Sequence, residues 1–350
     1  MVAEVAAAAA AMGAPVRVYA PMKDSSKSQP YDVVEIPNRG TLGWGCRLRT
    51  LRLLRRNCSA WRDSIVHLAE PGPILACMYG QLAGILPRPQ RLILTLHGSE
   101  ILRFARLPHT SYLFQRLLRH VDAVHFLSQA CKHLFLRHFN KADDALHVVP
   151  GAARRFPAST QETRSFSNQT GKTIYLTVGR VHPRKGQLAC IEAMGKLPAE
   201  IRSTLEYWVA GPVVDRGYQR DLETNAQASG LDVKFLGEIQ DAEMEALYEA
   251  ADLFIMTSVP HRRSIEGFGL VYLEAATHGL PIIAHRIGGV SEAMREGETA
   301  RLCDPANRDA LATAIWDLLQ DKEMRHRMGQ AGKAFGAQFS WENTARALYV

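Results

Sequence analysis

The chain reads as an α/β protein built from two doubly wound parallel-sheet domains facing a cleft. Three observations carry that expectation. Its 350 residues amount to about two domains. The second half alternates short apolar, β-branched or aromatic runs with stretches of helical spacing, the rhythm of βαβ units in a sheet covered on both faces. The halves also differ electrically. Residues 1–170 hold 22 Lys and Arg against 11 Asp and Glu, a balance of +11, whereas residues 171–350 hold 20 against 24, a balance of −4.

The elements follow in order. An amphipathic helix is expected over 2–12, with Glu4 interrupting its Ala run and no basic residues ahead of it, which argues against a signal peptide. Strand candidates in the first half are 16–20, 31–36, 64–68, 91–96, 123–127 and 145–149. The polar stretch 153–172 suits a linker. Second-half strands are expected at 173–178, 205–210, 232–236, 252–257 and 281–285, with helices at 187–196, 217–229, 241–250, 269–278, 306–320 and 322–339. The domains expected are therefore 1–152, a linker 153–172, 173–339, and a C-terminal helix 340–350 that packs back on the first domain.

Composition narrows the classes. Hydrophobic residues are 47% and charged residues 22%, which excludes disorder, collagen and coiled coil. The six cysteines are scattered with no CxxC pair, so reduced, buried thiols in a cytoplasmic chain are expected and not a disulfide scaffold or zinc site. No apolar run reaches the roughly 18–20 residues of a membrane span.

Two segments carry chemistry. In Gly179-Arg180-Val181-His182-Pro183-Arg184-Lys185-Gly186 a strand ends on a glycine, and cations follow just before a helix begins, a favourable anion clamp. In Glu266-Gly267-Phe268-Gly269-Leu270-Val271-Tyr272-Leu273-Glu274 the amides of Phe268, Gly269 and Leu270 open a helix, a second seat for phosphate. Glu266 lies in the loop before that helix and Glu274 on it; a carboxylate only accepts hydrogen bonds and suits sugar hydroxyls.

This segment resembles the Glu-x7-Glu motif of retaining glycosyltransferases of family 4, with the GT-B fold. Leu96-His97-Gly98-Ser99-Glu100, Phe126-Leu127-Ser128, Val148-Val149-Pro150-Gly151-Ala152, Phe235-Leu236-Gly237 and Gly288-Gly289-Val290-Ser291-Glu292 agree with that family in order. The resemblance implies two Rossmann-like domains. It implies that Arg180 and Lys185 bind the diphosphate of a nucleotide sugar and that Glu274 holds the ribose hydroxyls. Glu266 would contact the donor sugar near the reacting carbon, and His97 would reach the donor sugar and the attacking hydroxyl. The loop after Gly237 would lie against the base. No metal or other cofactor is implied beyond the nucleotide-sugar co-substrate. His182 and Arg184 match no fixed family position and read as loop surface; His278 reads as packing.

The family pattern places a strand and a glycine-rich turn ahead of the helix that here starts beside Met1, so the first strand of the first domain is expected to be absent, as from a truncated gene model. An inactive or binding-only protein of the same fold is the alternative. A nucleic-acid-binding module is more remote, because only Trp44 and Trp61 lie near the Arg-rich run 47–56 and nothing else marks RNA binding. That run approximates a helix with Leu48, Leu51 and Leu54 on one face. It reads either as an ordinary domain helix with its Leu face in the core or as a peripheral contact with anionic lipid at the inner membrane face. The partners expected are a nucleotide-sugar donor and a glycan or glycolipid acceptor.

Overall fold

The computed structural model describes residues 1–20, 29–36, 44–57, 59–86, 88–157 and 166–350. The chain divides into two compact units: Met1–Gly151 with Ser340–Val350, and Ala152–Phe339. The described part of the stretch read as a linker goes with the second unit.

Unit 1 runs α1 (Val2–Ala11), β1 (Arg17–Ala20), β2 (Asp32–Glu35), α2 (Trp44–Asn57), β3 (Ile65–Leu68), α3 (Pro71–Gly80), β4 (Arg91–Leu96), α4 (Ser99–Phe104), α5 (Pro108–Leu118), β5 (Ala123–Phe126), α6 (Gln129–Leu136) and β6 (Leu146–Val148). Its strands are all parallel and fall into two sheets, β1-β2 and β3-β4-β5-β6. Among the described residues no strand bonds β1 to β3.

Unit 2 contains β7 (Thr173–Val178), α7 (Gln187–Gly195), α8 (Ala199–Arg202), β8 (Leu205–Ala210), α9 (Arg216–Ser229), β9 (Val233–Gly237), α10 (Met244–Glu249), β10 (Leu253–Met256), α11 (Leu270–Thr277), β11 (Ile282–His285), β12 (Ala300–Cys303), α12 (Arg308–Gln320) and α13 (Lys322–Gly336). The final helix, α14 (Trp341–Tyr349), belongs to unit 1. The six strands form one parallel sheet in the order β12-β11-β10-β7-β8-β9. Every residue of β8, β10 and β11 is buried, because helices cover both faces. Tyr175, Ile191, Tyr207, Leu222 and Ile315 share one core beneath α7, α9 and α12. On α13, Gly329 and Gly336 let that helix lie close to the end of α11: a Cβ at Gly329 would come within 2.1 Å of the Gly279 carbonyl oxygen. Local signals set the helix ends. Asp215, Asn307, Asp321 and Ser340 each accept a first-turn N–H, and Gly230 ends α9 in the left-handed conformation.

Three readings change. β12 escapes the sequence because its four residues, Ala-Arg-Leu-Cys, include an Arg and show no apolar run. The helix expected over 241–250 begins as a 3-10 turn, Asp241–Glu243, and becomes α-helical at Met244. The apolar face of α2 is misplaced: Leu54 is 2% exposed and Thr50 is buried beside it, but Leu48 is 53% exposed among the exposed Arg49, Arg52, Arg55 and Arg56. The Trp44 side chain lies outside the described residues.

Within unit 1, hydrogen bonds run in one direction through two buried histidines. The Val149 carbonyl only accepts, so His125 donates from Nε2 (2.8 Å) and accepts the Thr95 hydroxyl at Nδ1 (2.9 Å). Thr95 in turn accepts from His67 Nε2 (2.6 Å), and His67 Nδ1 accepts the Tyr349 hydroxyl of α14 (2.7 Å). Both rings are thereby held neutral. Burial, followed by the charges of neighbouring histidines, pushes His67 down to about 3, and burial pushes His125 down to about 4. A depressed folded value means that the unfolded chain binds the proton first, so stability is present above the unfolded value of about 6.5 and drains as pH falls. Between pH 7 and pH 5, His125 alone should cost about 2 kcal/mol. Urea unfolding across that range measures the slope; a His125→Gln variant should flatten it, and an unchanged slope would contradict the assignment.

Candidate active site

The site is built where the sheet of unit 2 reverses its winding. From β7 the chain proceeds outward through β8 and β9, then returns to place β10 on the other side of β7. The loops leaving adjacent strands β7 and β10 diverge there, and the carboxyl edge between them is where doubly wound sheets bind ligands. Both motif segments fall on this edge: residues 179–186 follow β7, and residues 257–269 follow β10.

Three donors converge on Glu266 Oε2. Arg184 Nη1 donates at 2.7 Å, Lys185 Nζ at 2.8 Å and the Ser258 hydroxyl at 3.1 Å. Burial alone would raise the Glu266 carboxyl, but the adjacent Lys185 and Arg184 charges hold it below the usual range. Burial lowers Lys185, against the pull of Glu266 in the opposite direction. Arg184 is 8% exposed, which corrects its reading as loop surface. It follows His182, whose Nδ1 accepts the Arg184 N–H (3.1 Å) and whose ring meets His261 edge-on at 5.3 Å. Arg180 is exposed at the end of β7 and, among the described residues, has no carboxylate partner; its carbonyl accepts from Gln187 (3.0 Å). Of the three cations on this loop, Arg184 and Lys185 are paired with Glu266, whereas Arg180 has no carboxylate partner among the described residues.

The turn that presents these cations depends on close packing. Gly186 has φ +75° and ends the Pro183–Lys185 turn; its carbonyl accepts the Thr257 hydroxyl (2.7 Å). A Cβ there would lie 1.9 Å from the Thr257 carbonyl oxygen, which belongs to the backbone and cannot rotate away. Gly186→Ala should cost about 3 kcal/mol through left-handed strain and overlap together, read as a lower denaturation midpoint; an unchanged midpoint would refute the packing argument.

Phe268 is buried, and Gly269, at φ +86°, caps α11, so Leu270 begins the helix. Helical geometry leaves the first N–H groups without intrahelical partners. Glu274 lies on α11, 1% exposed, yet both of its carboxylate oxygens are engaged: Arg154 Nε donates to Oε1 (2.8 Å) and the Tyr248 hydroxyl to Oε2 (2.9 Å). The reading of His278 as packing agrees with the structure. Its ring stacks on Tyr248 at 4.9 Å, and its Nδ1 donates to the Glu274 carbonyl (2.8 Å). Arg154, Tyr248, Ser258 and Arg184 were not read as site residues. Arg184 adjoins Lys185 in one turn, whereas the other three come together only through the fold.

In unit 1, His97 lies at the carboxyl end of β4. Its backbone N–H donates to Glu100, and its Nε2 donates to the Ala69 carbonyl (3.3 Å). That tautomer leaves Nδ1 as an acceptor.

Two Rossmann-like parallel-sheet units, the second with cations and carboxylates at its switch point, make this a protein of the GT-B glycosyltransferase class. Solved structures share the fold: sucrose-phosphate synthase from Thermosynechococcus elongatus at a TM-score of 0.76 and 20% identity, covering 98% of this chain and 90% of that one, and Anabaena Alr3699/HepE in complex with UDP and glucose at 0.74 and 19%, covering 99% and 94%. The chain belongs to glycosyltransferase family 4, group 1, and is a glycosyltransferase: residues 159–335 match the family described as glycosyl transferases group 1, and residues 1–153 match glycosyltransferase family 4. Among its relatives is the GDP-mannose-dependent alpha-(1-6)-phosphatidylinositol monomannoside mannosyltransferase of Mycolicibacterium smegmatis, 30% identical over 79% of this chain and 70% of that protein. The Mycobacterium tuberculosis protein of the same name is 27% identical over 95% and 87%.

Proposed function

We propose that this chain transfers a hexosyl group from a nucleoside-diphosphate sugar to a hydroxyl of a glycolipid or glycan acceptor, with retention at the anomeric carbon and without a metal ion. The pairing of Arg184 and Lys185 on Glu266 at the switch point, with Arg180 exposed on the same loop, carries this reading. A leaving diphosphate bears two or more negative charges, and fixed cations beside a helix N-terminus can stabilise them as the glycosidic bond breaks. In the step proposed, the bond from the anomeric carbon to the phosphate oxygen breaks and the acceptor oxygen bonds that carbon. The acceptor's proton passes to the leaving phosphate. Arg180 and Lys185 bind the diphosphate with the amides of Phe268, Gly269 and Leu270, and Glu274 takes the ribose hydroxyls. Glu266 orients the cations beside the donor sugar, and His97 serves the acceptor side. GDP-mannose and a mannosylated phosphatidylinositol are the first substrates to test, because the mannosyltransferase relatives are named for them.

The acceptor class also suggests where the enzyme works. Among the described residues no helix is long and apolar enough to cross a membrane. The exposed Leu48 with Arg49, Arg52, Arg55 and Arg56 favours peripheral contact with anionic lipid at the cytoplasmic face. Thermal shift with GDP-, UDP- and ADP-sugars identifies the donor, since a ligand of the native state raises its midpoint. Transfer to extracted glycolipid, with the product's anomeric configuration read by NMR, then tests the reaction. No stabilisation by any donor, or an inverted product, would overturn the reading.

A further inference from the structure

We infer that Arg154 is a positioning residue for donor binding: it fixes the Glu274 carboxylate so that its remaining lone pairs face a vicinal diol. This inference rests on the proposed reading of Glu274 as the ribose ligand. Arg154 lies just inside unit 2, at the start of the stretch that leaves unit 1. Its Nε donates to Glu274 Oε1 at 2.8 Å and its Nη1 to Asp241 Oδ1 at 3.3 Å. The guanidinium carbon stands 5.1 Å from the Phe156 ring centroid, and Phe156 packs on Tyr248 and His278 at 6.1 and 6.2 Å. The arginine is therefore held at three points and is no loose surface side chain.

The count of lone pairs makes the case. A carboxylate offers about four acceptor positions. Arg154 takes one on Oε1 and Tyr248 takes one on Oε2, which leaves one on each oxygen. Two acceptors on neighbouring oxygens match the two hydroxyls of a ribose cis-diol. A buried carboxylate also needs a counter-charge, and Tyr248 supplies none. Without Arg154 the carboxylate loses both its charge partner and one of the two donors that set its rotation, so the diol meets a poorly aimed acceptor.

The test is calorimetric titration of GDP and UDP, together with their 2′,3′-dideoxy counterparts, into wild type, Arg154→Ala, Arg154→Lys, Glu274→Ala and the double variant. Arg154→Ala should weaken the better ribonucleotide about 10- to 30-fold, the scale of a charge-assisted hydrogen bond, and the dideoxy nucleotide less than about 2-fold. In the Glu274→Ala background the same change should have little further effect, and Arg154→Lys should recover part of the loss. Equal losses for both nucleotides would overturn the inference, assigning Arg154 to general folding or to phosphate. Unchanged or tighter ribonucleotide binding would also overturn it, the tighter case meaning that Arg154 merely occupies the ribose position. Failure of wild type to bind any nucleoside diphosphate would instead remove the functional reading, and the inference with it. Wild-type binding that Glu274→Ala leaves intact would remove the ribose role alone.

Discussion

Lys185→Ala should lower glycosyl transfer by about 100- to 1,000-fold, the cost of removing one preorganised charge from a water-poor site. The fold should survive, because Arg184 and Ser258 still hold Glu266. The loss should fall mainly on kcat if Lys185 meets charge that grows as the leaving diphosphate departs, and on donor KM if it only anchors the ground state. Burial lowers Lys185 from the ordinary lysine value. Its charge is therefore shed earlier than that of an exposed lysine as pH rises, and donor affinity should weaken on the alkaline side in wild type but not in the variant. Wild-type turnover in Lys185→Ala would sink the proposed clamp.

Glu266→Gln should destabilise the protein by about 3–5 kcal/mol, the usual cost of removing one partner from a buried ion pair. Here two buried cations, Arg184 and Lys185, lose the same counter-ion. The deficit should shrink when pyrophosphate or a nucleoside diphosphate is added, because an anion in the clamp restores negative charge. Denaturation of both proteins with and without pyrophosphate reads this directly: the variant should gain more than wild type. Equal gains would mean that the ligand does not reach these cations. The pH dependence has a definite sign. The folded Glu266 value is lowered, so its stabilising contribution is present above the unfolded carboxylate range and disappears as pH falls through the folded value. The Gln variant lacks that acid-side slope.

Most of unit 2 was legible because its strands are buried on both faces and read as unbroken apolar runs. β12 was not, since an edge strand of four residues with an Arg shows no such run. Glu266 and Lys185 stand out through their place in glycine-framed turns, and Glu274 through its place on the helix that the second turn opens. What the spacing cannot express is who pairs with whom. Arg184 and Lys185 are neighbours of similar charge, and only the turn closed by Gly186 brings both onto one carboxylate. Arg154 is far from Glu274 in the chain, and nothing local to its Gly-Ala-Ala-Arg-Arg surroundings points to a buried partner. The apolar side of α2 was misjudged for a similar reason: Thr50 carries no hydrophobic signal, yet it shares the buried face with Leu54 while Leu48 is left outside.

The membership of α14 in unit 1 has a biosynthetic consequence. Unit 2 is continuous in the chain, whereas unit 1 is interrupted and recovers its last helix from Ser340–Val350. During translation the hydroxyl of Tyr349, which opens the histidine relay at His67, emerges from the ribosome after all of unit 2. Unit 1 is therefore begun before unit 2 and completed after it, and a nascent or excised fragment ending at Gly151 would expose the surface that α14 covers and leave the relay without its first donor.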